Sequence, residues 1–183
     1  MKRLSYKNST KTAIGGIIAA LSIVSLMLTA VIPTLTYALP AFAGILLILV
    51  VIEVDKKWAM GVYVVVGILS MLLVADKEAA IMYVMFFGYY SILKAVLENK
   101  LNKVICWIVK FAVFNVAVIL AFLIVTYIFK IPFDEMSGLG KWSAWILLLI
   151  GNFVFLIYDI LLTRLISLYM IRLHKSFKRI FKY

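Results

Sequence analysis

Acidic residues, histidine and cysteine are all scarce in this chain of 183 residues. Eight Asp and Glu stand against 19 Lys and Arg, and no charged residue at all falls between Thr12 and Ile52. The single cysteine, Cys106, cannot close an internal disulfide, so cysteine usage says nothing about redox compartment. The single histidine, His174, excludes a His-based metal cluster and the paired histidines of an HExxH metalloprotease. Intramembrane aspartyl chemistry needs two facing carboxylates, and only Asp159 stands well inside an apolar run. There is no glycine-rich phosphate loop and no Ser/His pair. Together these absences argue against an enzyme and against any metal site.

What is present is apolar. Hydrophobic residues make up 66% of the chain and charged residues 15%, against roughly 45–50% and 25% in average globular chains. A soluble domain of this size cannot hide so much apolar surface. The expected class is an all-α integral membrane protein, a single domain of six transmembrane helices over residues 1–183. A span needs about 20 apolar residues, and six runs qualify: 12–32, 37–54, 58–74, 79–97, 104–129 and 142–162. Pro33, "DKK", "DKE" and "ENKLNK" punctuate them. Helices are required because backbone polar groups in lipid must be satisfied within the segment. The alternation of a membrane β-barrel is missing.

Positive charge sets the orientation. Lys2, Arg3, Lys7 and Lys11 precede the first run. Lys56 and Lys57 follow the second, and Lys100 and Lys103 follow the fourth. The intervening loops hold only Lys77, Lys130 and Lys141, so both termini are expected in the cytoplasm of a multi-pass cell-membrane protein. "AFA" at Ala41–Ala43 mimics a signal cleavage site, but the preceding run is too long for a signal peptide and cleavage is not expected. Residues 164–183 place Ile166, Tyr169, Leu173, Phe177 and Ile180 on one helical face and Arg172, Lys175, Arg179 and Lys182 on another. That is a basic amphipathic helix for the inner leaflet. The net charge of +11 is thus assigned to topology and anionic lipid rather than to nucleic acid.

Polar residues inside spans are costly unless paired or functional. Asn115 and Asn152 fall mid-span. Asp159 follows Asn152 by seven residues, on the same helical face. Lys94, Lys110 and Arg164 lie at similar depth and are its candidate partners, in a structural polar cluster of Asp159, Lys94, Lys110 and Asn115. Aromatics concentrate in "YVMFFGYYSILK" and at the outer span ends. They form either interfacial belts or the walls of an outward pocket. The pocket set is Tyr37, Glu78, Tyr83, Trp145 and Asn152, with the loop Pro132–Lys141 as a lid. Finally, "IGGIIAAL" (residues 14–21) sets Gly15 and Gly16 one turn before Ala19 and Ala20. Small residues let membrane helices approach closely, so these stripes face either another helix of the chain or a separate membrane protein.

The layout resembles the substrate-binding (S) components of energy-coupling factor (ECF) transporters. These are six-helix proteins with both termini cytoplasmic. Their first helix carries a small-xxx-small motif, which "TAIGGIIAALSIVSLML" matches best at Gly16 and Ala20, with Gly where Ala is usual. "PTLTYALPA" is similar to the family's first outer loop. The resemblance implies capture of a vitamin or similar micronutrient from outside a bacterial plasma membrane. It also implies docking on a transmembrane coupling subunit with cytoplasmic ATPases, and no cofactor in this chain. Nickel or cobalt is not implied, because the family's metal-binding members use an N-terminal histidine that is missing here. The alternative layout is a multispan scaffold or assembly factor of the cell envelope without transport activity.

Overall fold

The computed structural model describes residues 7–128 and 143–173. Of these, 92% are helical and none is in a strand. Six helices follow in order: α1 Asn8–Met27, α2 Ala38–Glu53, α3 Lys56–Leu73, α4 Lys77–Lys100, α5 Lys103–Ile128 and α6 Ser143–Leu168. Each lies within a few residues of an expected apolar run. Five stretches are long and apolar enough to cross a membrane: Asn8–Ala30, Lys56–Leu73, Lys77–Lys100, Lys103–Ile128 and Leu148–Arg172. The exception, α2, has 16 residues, or about 24 Å at 1.5 Å per residue, short of a ~30 Å hydrocarbon core.

Large apolar side chains cover the outside of these helices. Leu72 and Val104 are each 72% exposed, and Ile17, Val65, Ile108 and Phe153 are exposed as well. A monomer in water does not tolerate continuous apolar faces of this kind. The arrangement is compatible with a multi-pass membrane protein.

The chain forms two compact units, Met1–Lys141 and Trp142–Tyr183. In the first, α2 is central. It packs against α1, α3 and α4, while α1 also packs on α3 and α5 on α4. Leu47 and Val50 of α2 are fully buried with Leu26, Val66, Tyr83 and Tyr90. Two hydroxyls from different helices reach successive α2 carbonyls. Ser22 of α1 donates to the Ala43 oxygen at 3.5 Å, and Ser91 of α4 to the Gly44 oxygen at 2.6 Å. Gly44 and Ala43 leave the backbone approachable, which is how small residues act between membrane helices.

The helix ends are chemically explicit. Pro40 sits in the first turn of α2, where its missing N–H costs nothing. Asp76 caps α4 by accepting from the Ala79 N–H at 3.1 Å. Lys77 donates to the Met71 and Val74 oxygens, both at 2.9 Å, and so closes the C-terminus of α3. The sequence predicts an uninterrupted helix for the fourth run. Instead α4 widens into a π turn over Tyr83–Phe87. Tyr63 of α3 fills the widened turn by donating to the Val84 oxygen at 2.8 Å.

The second unit contains α6, continued by a π turn over Tyr169–Leu173. The lid Pro132–Lys141 and the last part of the basic amphipathic tail, residues 174–183, lie outside the described residues.

Candidate functional site

At the end of the first unit where α4 begins, four polar side chains tie the loop after α1 to α4. The Tyr37 hydroxyl donates to Glu78 Oε1. The adjacent Thr36 hydroxyl lies 2.9 Å from both Asp76 Oδ2 and the Pro33 oxygen. Two of the expected pocket residues, Tyr37 and Glu78, are therefore brought together. Thr36 and Asp76 join them without having been singled out for the site in the sequence, although each stands within two residues of one that was.

Partial burial pushes the Tyr37 hydroxyl above the usual phenol range. Its hydrogen bond to Glu78 and the charges of Glu78 and Asp76 push it the same way. A raised pKa means that the neutral phenol contributes fully to stability below the unfolded value, about 10. That contribution is lost as pH rises through the higher folded value. A tyrosinate absorbance titration of wild type minus Tyr37→Phe is expected to show almost no signal at pH 10 and a rise only above it. Half-titration of this difference at or below pH 10 would sink the assignment.

Tyr83, the third expected pocket residue, is fully buried rather than turned to lipid. Its ring centroid lies 6.2 Å from that of Tyr63, and its hydroxyl is buried without a hydrogen-bond partner. Tyr63 also meets Tyr89 edge-on at 6.0 Å. Phe86 packs on Tyr90 at 4.8 Å and on Phe114 of α5 at 5.1 Å. The aromatic run of α4 is thus mainly core packing, and Tyr63, absent from the sequence-derived set, is its partner on α3. Asn152 lies on α6 in the second unit and donates to its own helix at the Leu148 oxygen, 2.8 Å away. The Trp145 side chain lies outside the described residues.

The small residues of α1 divide into two classes. Gly15 is buried, and a Cβ added there would lie 3.1 Å from Val62 Cγ2 of α3. Gly16 is exposed, and a Cβ there would meet nothing within 4 Å. Ala19 is half-buried and Ala20 exposed. Between α1 and α3 runs an open groove of about 440 Å³, whose walls include Thr12, Gly16, Ala19, Lys57, Trp58 and Gly61. Gly61 also has open space in front of it. One small face is therefore used for packing within the chain, and the next face around α1, at Gly16 and Ala20, is exposed among the described residues.

At the other end of α4, two buried lysines converge. Lys94 and Lys110 each lie 2.7 Å from Glu98 Oε1, and Lys110 also sits 5.1 Å from the Trp107 ring centre. The lysines of the expected polar cluster are therefore adjacent, and Glu98 joins them. The sequence carried a signal for this. Lys94 and Glu98 are four residues apart, the spacing of a same-face helical pair, but "ENKLNK" reads as a loop. Asn115 donates to its own helix at the Phe111 oxygen, 2.8 Å away. Asp159 is buried on α6, and its backbone oxygen accepts from Thr163 at 2.9 Å. Among the described residues no group of three or more His, Cys, Asp or Glu could hold a metal ion.

Comparison of the chain with protein-family models, curated proteins and solved structures gives no match.

Proposed function

We propose that this protein is the membrane-embedded substrate-binding subunit of an ECF-type importer in a bacterial plasma membrane. In this reading six helices span the bilayer, with α2 as a short central span, and both termini are cytoplasmic. A vitamin or similar micronutrient is captured at the end where Tyr37 meets Glu78. The exposed face of α1 docks on a coupling subunit that carries cytoplasmic ATPases.

The observation that carries the reading is the division of the α1 small residues. If close packing within the chain were the only reason for "IGGIIAAL", Gly15 alone would suffice, since it is the glycine that meets Val62. Gly16 costs a helix about 1 kcal/mol relative to Ala, and a Cβ there would meet nothing within 4 Å among the described residues. In lipid, helix association depends on close backbone approach rather than on a hydrophobic drive. A second membrane helix laid along Gly16 and Ala20 would recover that cost. The bonds from Tyr37 to Glu78 and from Thr36 to Asp76 add a reason for the outer loop to hold one conformation near α4.

Two substitutions separate docking from folding. Gly16→Leu is expected to leave the thermal midpoint of the purified protein within a few degrees of wild type and to cut co-purification with an ECF coupling module at least tenfold. Gly15→Leu is expected to lower the midpoint itself, because its side chain is driven into Val62. A wild-type protein that neither co-purifies with the module nor is stabilised by any of a panel of water-soluble vitamins would overturn the importer reading.

A further inference from the structure

A second groove lies on a different side of the first unit, between α3, α4 and α5. It has a volume of about 490 Å³, within the range of small-molecule sites. Its walls include Val84 and Met85 of α4 and Ala112, Val116 and Leu120 of α5. It is an open groove rather than a closed cavity, and an occupant reaches it from the bilayer if these three helices cross it. That condition is the only part of the preceding reading on which the following rests.

Two tyrosines, Tyr63 and Tyr89, line this otherwise apolar groove. Tyr63 donates to the Val84 oxygen, which leaves the lone pairs of its own oxygen available to accept. The Tyr89 hydroxyl has no hydrogen-bond partner among the described residues. Both tyrosines lie near the midpoints of their helices: Tyr63 is the eighth residue of α3 and Tyr89 the thirteenth of α4. A free phenol at that depth is unfavourable, because lipid tails offer it nothing to bond. Phospholipid ester groups do not reach it, since they lie at the boundary of the ~30 Å hydrocarbon core. The neighbouring Tyr83 hydroxyl is buried and also without a hydrogen-bond partner among the described residues. The π turn at Tyr83–Phe87 lies against the same groove, and π turns often mark functional sites.

We infer that this groove binds a lipophilic small molecule that carries a carbonyl acceptor, of the quinone or aryl-ketone class, and that the molecule enters from the bilayer. The Tyr89 hydroxyl donates to the carbonyl. The Tyr63 ring and the flexible Met85 side chain pack against the flat body. Ala112 and Ala117 leave the space that the body fills. A phospholipid tail satisfies the walls but leaves Tyr89 unbonded, so the hydroxyl selects for the carbonyl.

The test uses the full chain in phosphatidylcholine nanodiscs with an alkyl benzophenone, whose ketone is both the acceptor and the photoreactive group. Irradiation is expected to label the peptides containing Val84–Tyr89 and Ala112–Leu120. Decylubiquinone is expected to suppress the labelling, and dodecylbenzene, which lacks a carbonyl, is not. Tyr89→Phe keeps the ring and is expected to weaken apparent probe affinity three- to tenfold, the worth of one neutral hydrogen bond. Val116→Trp fills the groove and is expected to abolish labelling there in a protein that still elutes as wild type. Labelling spread over all lipid-facing helices would overturn the proposal. So would equal competition by the hydrocarbon, or Tyr89→Phe labelling equal to wild type.

Discussion

Glu98→Gln is expected to destabilise the fold by about 2–3 kcal/mol, read as a shift in detergent-induced unfolding. The Lys94 and Lys110 side chains are 1% and 3% exposed, and both lie 2.7 Å from the same carboxylate oxygen. Removing one partner of a buried ion pair costs roughly 3–5 kcal/mol, because a charge is left in low dielectric. The Glu98 side chain is 41% exposed and both lysines keep interactions besides the one with Glu98, so the loss is moderated and the expected value falls below that range. The amide keeps the size and the hydrogen-bonding oxygen of the carboxylate and removes only its charge. The double variant Lys94→Met with Glu98→Gln is expected to recover part of the loss, since one of the two buried cations is then gone. A single Glu98→Gln variant within about 0.5 kcal/mol of wild type, the range of ordinary surface changes, would show that the cluster does not depend on this carboxylate.

Gly88→Ala sets helix propensity directly against packing. Propensity alone predicts a gain of about 1 kcal/mol, because Gly is poor inside a helix. A Cβ at position 88, however, would lie 2.6 Å from Tyr63 Cδ2 and 2.9 Å from the Tyr83 backbone oxygen. The ring is held from its far end by the hydrogen bond from its hydroxyl to the Val84 oxygen. The carbonyl belongs to the π turn itself and cannot move without it. Overpacking of this kind typically costs 1–3 kcal/mol. Gly88→Ala is therefore expected to lower stability by up to about 2 kcal/mol net. Gly61→Ala, where the added Cβ meets open space, is expected to be neutral or stabilising. If both alanine variants gain stability alike, the close approach of Tyr63 to α4 is not a constraint on the fold.

The helices themselves were legible. Long apolar runs demand internally bonded backbone, and the interruptions at Pro33, "DKK", "DKE" and "ENKLNK" fall between α1 and α5 to within a few residues. Which face of each helix meets its neighbours was not legible. A helix that is apolar all round gives no amphipathic signal, since lipid and protein interior look alike to it. Gly15 and Gly16 are adjacent and chemically identical, yet one is packed against Val62 and the other is open. Tyr83 reads equally well as a belt residue, and only its contact with Tyr63 and its complete burial place it in the core. Glu98 was hidden because a charged stretch at the end of an apolar run looks like solvent-facing loop, whereas α4 continues through it to Lys100.

The sequence by itself determined the class of the molecule and the lengths of its elements. Those follow from the cost of unpaired backbone in lipid, which depends on how many apolar residues run together and not on what surrounds them. It also made Tyr37 and Glu78 candidates for one polar site, because both stand at span ends that the loop-charge pattern predicts on the same side. Only the tertiary structure decided that Tyr37 bonds Glu78, that Lys94 and Lys110 share Glu98, and that Tyr63 bonds into a π turn of α4. Each of these joins residues on different elements or across an irregular turn. Their energy lies in a few ångströms of side-chain geometry that no one-dimensional pattern records.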